Sequence, residues 1–239
     1  MRVAIVLIIA AAFFALLERR WAVRWSRRVD VLYWFLNPFV SRPLAALGAG
    51  LLILGVGHLG STWFSSQPLA MQWIEVLIGG DLAGYWSHRL FHRQPLWPFH
   101  AIHHSSESLD WLAAGRVHPI NEAAGRVFQL LPLLLLGFDP RVVAGAVPFL
   151  TFYAVFLHSN VGWDFGPLRY VIATPRFHRW HHTSESDGID RNFAGLFPWI
   201  DMLFGTFFLP NGRAPRAFGL EKEIIPSDLL GQLAWPFRR

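Results

Sequence analysis

The chain has 239 residues, 53% of them hydrophobic and only 15% charged, a balance that fits an integral membrane protein and not a soluble domain. It contains no cysteine, which excludes disulfides, thiolate-ligated haem, iron–sulfur clusters and Cys-rich zinc sites, so any metal must be held by His, Asp, Glu or water. The net charge of +5 comes almost wholly from arginines gathered beside apolar segments, a topology signal and not the basic, aromatic-interleaved stripe of a nucleic-acid surface.

In chain order, the first element is the apolar run 3–17. Glu18, Arg19 and Arg20 follow it with no small-residue cleavage site, so it reads as a retained, slightly short transmembrane or interfacial helix and not as a secretory signal. A second span is expected from about residue 44 to 59, rich in the Gly and Ala that favour close helix packing in lipid. His58, near its far end, reads as structural. A third span, from about 69 to 87, carries Gln72, Glu75 and Asp81; ionisable groups at membrane depth are costly and point to function. Between 127 and 157 two apolar stretches flank Gly137-Phe138-Asp139-Pro140, a turn signal that predicts a helical hairpin.

The loop after the first span carries Arg19, Arg20, Arg24, Arg27, Arg28 and Arg42 against Glu18 and Asp30, so the positive-inside rule places it in the cytosol. Counting from there, the third span and the hairpin both end on that face. Segments 88–126 and 158–239, rich in Trp and Pro, predict a cap at the interface. The expectation is therefore one all-α integral membrane domain, 1–239, with about four to five transmembrane helices and a cytosolic helical cap, set in a bacterial inner membrane.

Eight histidines fall in three clusters at span ends: His88-x3-His92, His100-x2-His103-His104 and His178-x2-His181-His182. On a helix the i, i+3 and i+4 positions share a face, so each cluster can aim its rings at one point. A lone i, i+4 pair is weak evidence of a metal. The second cluster, resuming after Pro95 and Pro98, and the third, which copies its spacing, make coincidence a poor explanation. His118 and His158 stand singly and would each read as hydrogen-bonded structural residues, yet the topology brings both to the same face.

Eight to ten imidazoles exceed the four ligands of a tetrahedral zinc, so two metals are implied. Imidazole suits Fe, Zn, Cu and Ni alike. Neither a His-Glu-x-x-His motif nor the Glu-x-x-His pairs of soluble di-iron bundles occurs. The alternative reading is a metal-binding membrane module or metal transporter, whose site should lie near the midplane on broken helices, not beyond the span ends.

The ordered clusters resemble the fatty acid hydroxylase superfamily, which includes sterol desaturases, ceramide and fatty acid hydroxylases and alkylglycerol monooxygenase. The resemblance extends through Asp81-Leu-Ala-Gly-Tyr85-Trp86-Ser-His88-Arg89-Leu-Phe-His92-Arg93, His103-His104-Ser105-Ser106, Arg116-Val-His118-Pro119, Asn192-Phe-Ala-Gly195 and Asp201-Met-Leu-Phe204-Gly205-Thr206, and covers 74–209. It implies a cap holding a di-iron centre that uses O2 to oxidise a C–H bond of a membrane lipid, with electrons from a separate ferredoxin or cytochrome system. It also implies that the eight clustered histidines are ligands and that His158 matches an additional one.

Some members carry a further His where this chain has Ala154, and His118 is expected to replace it in a ten-histidine shell. Metal-bound imidazoles usually donate their other N–H to an acceptor. Asp81, two turns before His88, and Asn192 are therefore the candidate catalytic positions supporting the shell, with Glu122, Asp190 and Asp201 as further partners. Hydroxylation, desaturation and ether cleavage remain open, because all would use the same ligands.

Overall fold

The structure, a computed structural model, describes residues 2–18, 28–56 and 62–238. Among them every regular element is helical, and the β pairing is an isolated bridge between Thr183 and Phe218. His58 and the loop arginines Arg19, Arg20, Arg24 and Arg27 lie outside the described residues.

Helix α1 (Arg2–Glu18) matches the first expected element. Helix α2 (Arg28–Val56) does not match its expectation, beginning well before residue 44 and running through Pro38 and Pro43. Its front half looked too polar for a span because Asp30, Asn37 and Ser41 lower its hydropathy. These residues in fact share one buried face. Asp30 pairs with Arg116, Asn37 donates to the carbonyls of Gly115 and Val117 at 3.2 and 3.1 Å, and Ser41 donates to Asn37 at 3.0 Å. Each proline removes one i→i−4 hydrogen bond.

After the single turn α3 (Thr62–Ser65), α4 (Leu69–Phe91) runs one turn beyond the expected span, which places His88 on the helix and His92 at its C-cap. Helix α5 (Trp97–His104) and a 3-10 turn at Trp111–Gly115 lead to the hairpin of α6 (Pro119–Leu136) and α7 (Pro140–His158). Gly137 closes α6 in the left-handed region, φ 93°, which only glycine adopts without cost. The Asp139 side chain then caps α7, accepting from the Arg141 N–H at 2.8 Å. Beyond α7 come the short helices α8 (Pro175–His181), α9 (Pro198–Leu203) and α10 (Leu229–Ala234).

Helix α6 packs between α2 and α4, and α7 packs on α4, α8 and the 111–115 turn. Val76, Leu133, Val142, Val143, Ala146 and Leu150 form the core of this contact, topped by Leu196. Two helical stretches, 28–55 and 140–158, are long and apolar enough to cross a membrane. The bundle also leaves large apolar side chains outward: Ile8 and Ile9 on α1, Leu47, Leu51 and Leu54 on α2, Ile74 on α4 and Phe152 on α7. Apolar surface on this scale marks contact with lipid or protein, not water.

Candidate metal centre

The end of α4 supplies His88 and His92, α5 supplies His100, His103 and His104, α7 ends on His158, and α8 supplies His178 and His181 with His182 at its C-cap. Both short helices are started firmly: Pro98 lies in the first turn of α5, and α8 opens on Pro175 after Thr174, whose hydroxyl accepts from the Phe177 N–H at 3.2 Å. The rings do not stay in their sequence clusters. One group joins His88, His92, His100, His104 and His181, and the other joins His103, His158, His178 and His182; within each, one nitrogen per ring lies within 4.8 Å of the rest. The i, i+4 pairs, 100 with 104 and 178 with 182, stay together. The i+3 member of each triplet, His103 or His181, crosses to the other group.

Hydrogen bonds fix which nitrogen is free. Nδ1 of His88 meets the Phe193 carbonyl at 2.9 Å, that of His92 meets Asp190 Oδ1 at 2.9 Å, and that of His100 meets Asn121 Oδ1 at 2.7 Å. Nδ1 of His103, His158 and His181 meets the carbonyls of Arg116, Ala154 and Arg191 at 3.0, 2.7 and 2.7 Å. All six partners only accept, so each Nδ1 carries the proton and each Nε2 of the neutral ring presents a lone pair. Yet His88 Nε2 lies 3.0 Å from His100 Nε2, and His103 Nε2 lies 3.1 Å from His158 Nε2. Two lone pairs facing at hydrogen-bond distance repel unless a cation sits between them. Nε2 of His92 and of His181 is buried with no hydrogen-bond partner, the condition of a ligand atom.

Burial holds His100, His103, His104, His178, His181 and His182 well below the ordinary imidazole value, and neighbouring rings add to the effect. They are neutral near pH 7, as metal ligation requires. Two all-imidazole groups fit two transition-metal ions.

Two buried carboxylates hold the loop that faces α4. Asp81 accepts from the backbone N–H groups of Gly195, Leu196 and Phe197 at 2.8, 3.0 and 2.7 Å. Asp201 accepts from those of Phe193 and Ala194, both at 2.8 Å, and from the Thr206 hydroxyl at 2.7 Å. Five consecutive N–H groups are thus taken, and the Phe193 carbonyl is aimed at His88. Asn192, at φ 58°, donates to the carbonyls of Phe177 and Phe208 and accepts from the Phe208 N–H. Asp81 and Asn192 therefore act on backbone, one step removed from the rings. Among the expected acidic partners, Asp190 alone touches a ring. Glu122 instead lines a cleft with Arg42 and Arg126 that none of the clustered rings lines.

The structure brings His158 into the second group but does not bring His118 to either. His118 is the N-cap of α6: its Nδ1 accepts from the Ile120 N–H and its Nε2 donates to the Leu233 carbonyl, both at 3.2 Å. With both nitrogens engaged, its ring faces α10 and not the metal groups, so nine rings converge, not ten. Sequence reasoning also missed Asn121 and the four backbone carbonyls that orient the rings. A carbonyl carries no residue signal, and Asn121 is readable only as a polar residue in the first turn of α6.

A cavity of 350 Å³ reaches the first group. His92, His104 and His181 are part of its wall, and the remainder comes from Gln94, Trp97, residues 183–184 and 189–190, and residues 219–223. All of these lie beyond the ends of the long helices.

The model of the family described as fatty acid hydroxylase matches residues 73–206. An ornithine lipid hydroxylase of Rhizobium tropici, OlsE, is 33% identical over 178 residues, covering 74% of this chain and 54% of that protein. The alkylglycerol monooxygenases of Danio rerio and Homo sapiens are 36% and 33% identical over 139 and 153 residues, covering 58% and 64% of this chain but 31% and 34% of their own length. The chain thus spans about half, or less, of the relatives it matches. No solved structure matches it.

Proposed function

The chain belongs to the fatty acid hydroxylase family, and from that premise we propose that it is a membrane-embedded di-iron oxygenase acting on a membrane lipid. The observation that carries the reading is the convergence of nine ring nitrogens, six of them lone pairs by their hydrogen bonds, in two groups without a carboxylate ligand. His88, His92, His100, His104 and His181 would hold one iron, and His103, His158, His178 and His182 the other. The relatives are named for oxidation of an ornithine lipid and of alkylglycerols, which supports a lipid substrate here.

The reaction takes a C–H bond, O2, two electrons and two protons to a C–OH group and water; desaturation or ether cleavage would draw on the same inputs. Iron supplies the O2 and redox chemistry that side chains lack. The protein's residues hold and orient: the Nδ1 acceptors fix six of the nine rings, the Asp81 and Asp201 loop fixes the His88 acceptor, and burial keeps the rings neutral. The electrons come from a separate ferredoxin- or cytochrome-type donor. Helices α1, α2, α4, α6 and α7 cross the bilayer, with the outward apolar residues in lipid and the metal centre on the cytosolic face, in a bacterial inner membrane.

Metal analysis of the detergent-purified protein tests the class. Wild type should carry about two irons per chain, and His181→Ala and His103→Ala should each lower that number, because a site of four or five ligands loses affinity steeply with one removed. Lipids extracted from cells grown under 18O2 should contain a species bearing one 18O atom that depends on intact ligands. Iron-free protein, or a labelled lipid that persists in both variants, would sink the proposal.

A further inference from the structure

We infer that the cleft between α1, α2, α6 and α7 binds an anionic phospholipid as a resident ligand, with its phosphate at Arg42 and Arg126 and an acyl chain along the apolar wall. The inference goes beyond the oxygenase reading and rests on one part of it, that the bundle is embedded in a bilayer. The cleft has a volume of 550 Å³, within the ~300–1,000 Å³ of pockets that take drug-sized ligands. Its wall is mainly apolar and includes Phe14, Trp34, Leu130, Val147 and Val155. Phe152 also lines it and is 53% exposed on the outward apolar surface of α7, so the cleft opens where the bundle faces lipid. None of the nine converging rings is in this wall, which sets an occupant apart from the metal centre.

A belt of charge crosses the apolar wall. Arg42, Glu122 and Arg126 are the charged residues of the lining, two guanidinium groups against one carboxylate. Glu122 attracts the Arg126 guanidinium and Arg42 repels it. Arg126 gives its hydrogen bonds to neutral acceptors, Thr151 Oγ1 at 2.9 Å and Gln129 Oε1 at 3.4 Å, so the belt keeps an excess positive charge. Depth makes that excess costly. Arg126 stands seven residues into α6 from Pro119, and its partner Thr151 stands seven residues before the end of α7 at His158. At ~1.5 Å of rise per residue, both lie about 10 Å inside the metal-side ends of their helices. An uncompensated cation at membrane depth is expensive, and basic pockets between membrane helices take up lipid headgroups. A phosphodiester supplies the missing negative charge and accepts from both guanidinium forks. Leu130 and Val147, one turn deeper on α6 and α7, then offer the acyl chain an apolar wall.

Thermal unfolding of the detergent-purified protein tests this, with dioleoylphosphatidylglycerol, dioleoylphosphatidylcholine or inorganic phosphate added and iron content measured alongside. A ligand of the folded state raises the midpoint. The inference expects a saturable rise of several degrees with phosphatidylglycerol and little with inorganic phosphate or with phosphatidylcholine, whose own cation neutralises its phosphate. Arg42 is exposed, so Arg42→Gln leaves the packing intact; it should need ~10-fold more phosphatidylglycerol for the same rise, and Arg126→Gln likewise. Glu122→Gln should need severalfold less, because it removes the anion that competes for the arginines. All three variants should keep wild-type iron. Equal responses to the two lipids, or titrations of Arg42→Gln and Glu122→Gln that coincide with wild type, overturn the inference; so does a full response to inorganic phosphate alone. Should Arg126→Gln fail to fold, the Arg42 and Glu122 variants decide. Iron-free protein with the selective response sinks the oxygenase reading and leaves the resident lipid standing, whereas protein that stays monomeric without detergent overturns the bilayer embedding and the inference with it.

Discussion

A partner on one ring nitrogen fixes which nitrogen faces the metal, and this chain commits Nδ1 of six rings largely with groups that have no side-chain signature. Four of the six acceptors are backbone carbonyls, at Phe193, Arg116, Ala154 and Arg191. The sequence could show the rings but not what aims them. It could not show the crossing of His103 and His181 between groups either, because helical spacing predicts shared faces within a cluster and is silent about the neighbouring helix. His118 was misleading for a related reason: a histidine before a proline at a helix start serves as well for capping as for ligation. Replacing it by Ala should leave about two irons bound and cost ~1–3 kcal/mol of stability, the loss of a cap plus an unpaired carbonyl; iron content and thermal unfolding of the purified variant check this. Asp81→Asn should behave differently. An amide nitrogen would face at least one of the N–H groups of residues 195–197 that the carboxylate now accepts, at a cost of ~1–3 kcal/mol. The His88 acceptor is carried by the same loop, so iron should also be lost ~10-fold or more faster to a chelator.

Elements that bury one apolar stripe were legible, and those that bury a polar one were not. The hairpin of α6 and α7 followed from its hydropathy and from Gly137 to Pro140, although α6 begins earlier than expected, at Pro119. The front half of α2 was missed because part of its inner face is polar: Asp30 pairs with Arg116, Asn37 bonds the carbonyls of Gly115 and Val117, and Ser41 bonds Asn37. The Trp34 indole donates to the Leu112 carbonyl at 3.0 Å, and a Cβ on Gly115 would lie 2.4 Å from Cδ1 and Nε1 of that indole. Helix α2 is thereby pressed against the turn whose next residue, Arg116, offers its carbonyl to His103. Gly115→Ala should push the two apart at a cost of ~1–3 kcal/mol, typical of overpacking, and should weaken the second iron before the first. Iron titration of the variant, with one site of wild-type affinity and one weakened, checks it; equal loss at both would place the strain elsewhere.

At the scale of the molecule, the nine imidazoles gathered at the two metal groups make the fold depend on pH. His100, His103, His104, His178, His181 and His182 are held well below their ordinary value by burial, whereas in the unfolded chain each titrates near 6.5. The unfolded state therefore takes up protons first as pH falls. Stability is level above about pH 7 and declines below 6.5, with a slope approaching ~1.4 kcal/mol per pH unit for each ring. Six rings give roughly 8 kcal/mol per unit, as much as the net stability of a typical protein. A metal held at the lone pairs would steepen the same dependence, because protons compete for the nitrogens. Tryptophan fluorescence of chelator-treated protein in detergent should stay constant from pH 8 to 7 and then report cooperative unfolding between about pH 6.5 and 5. A fold unchanged down to pH 4 would mean that the rings take up protons where they stand, and would overturn the prediction.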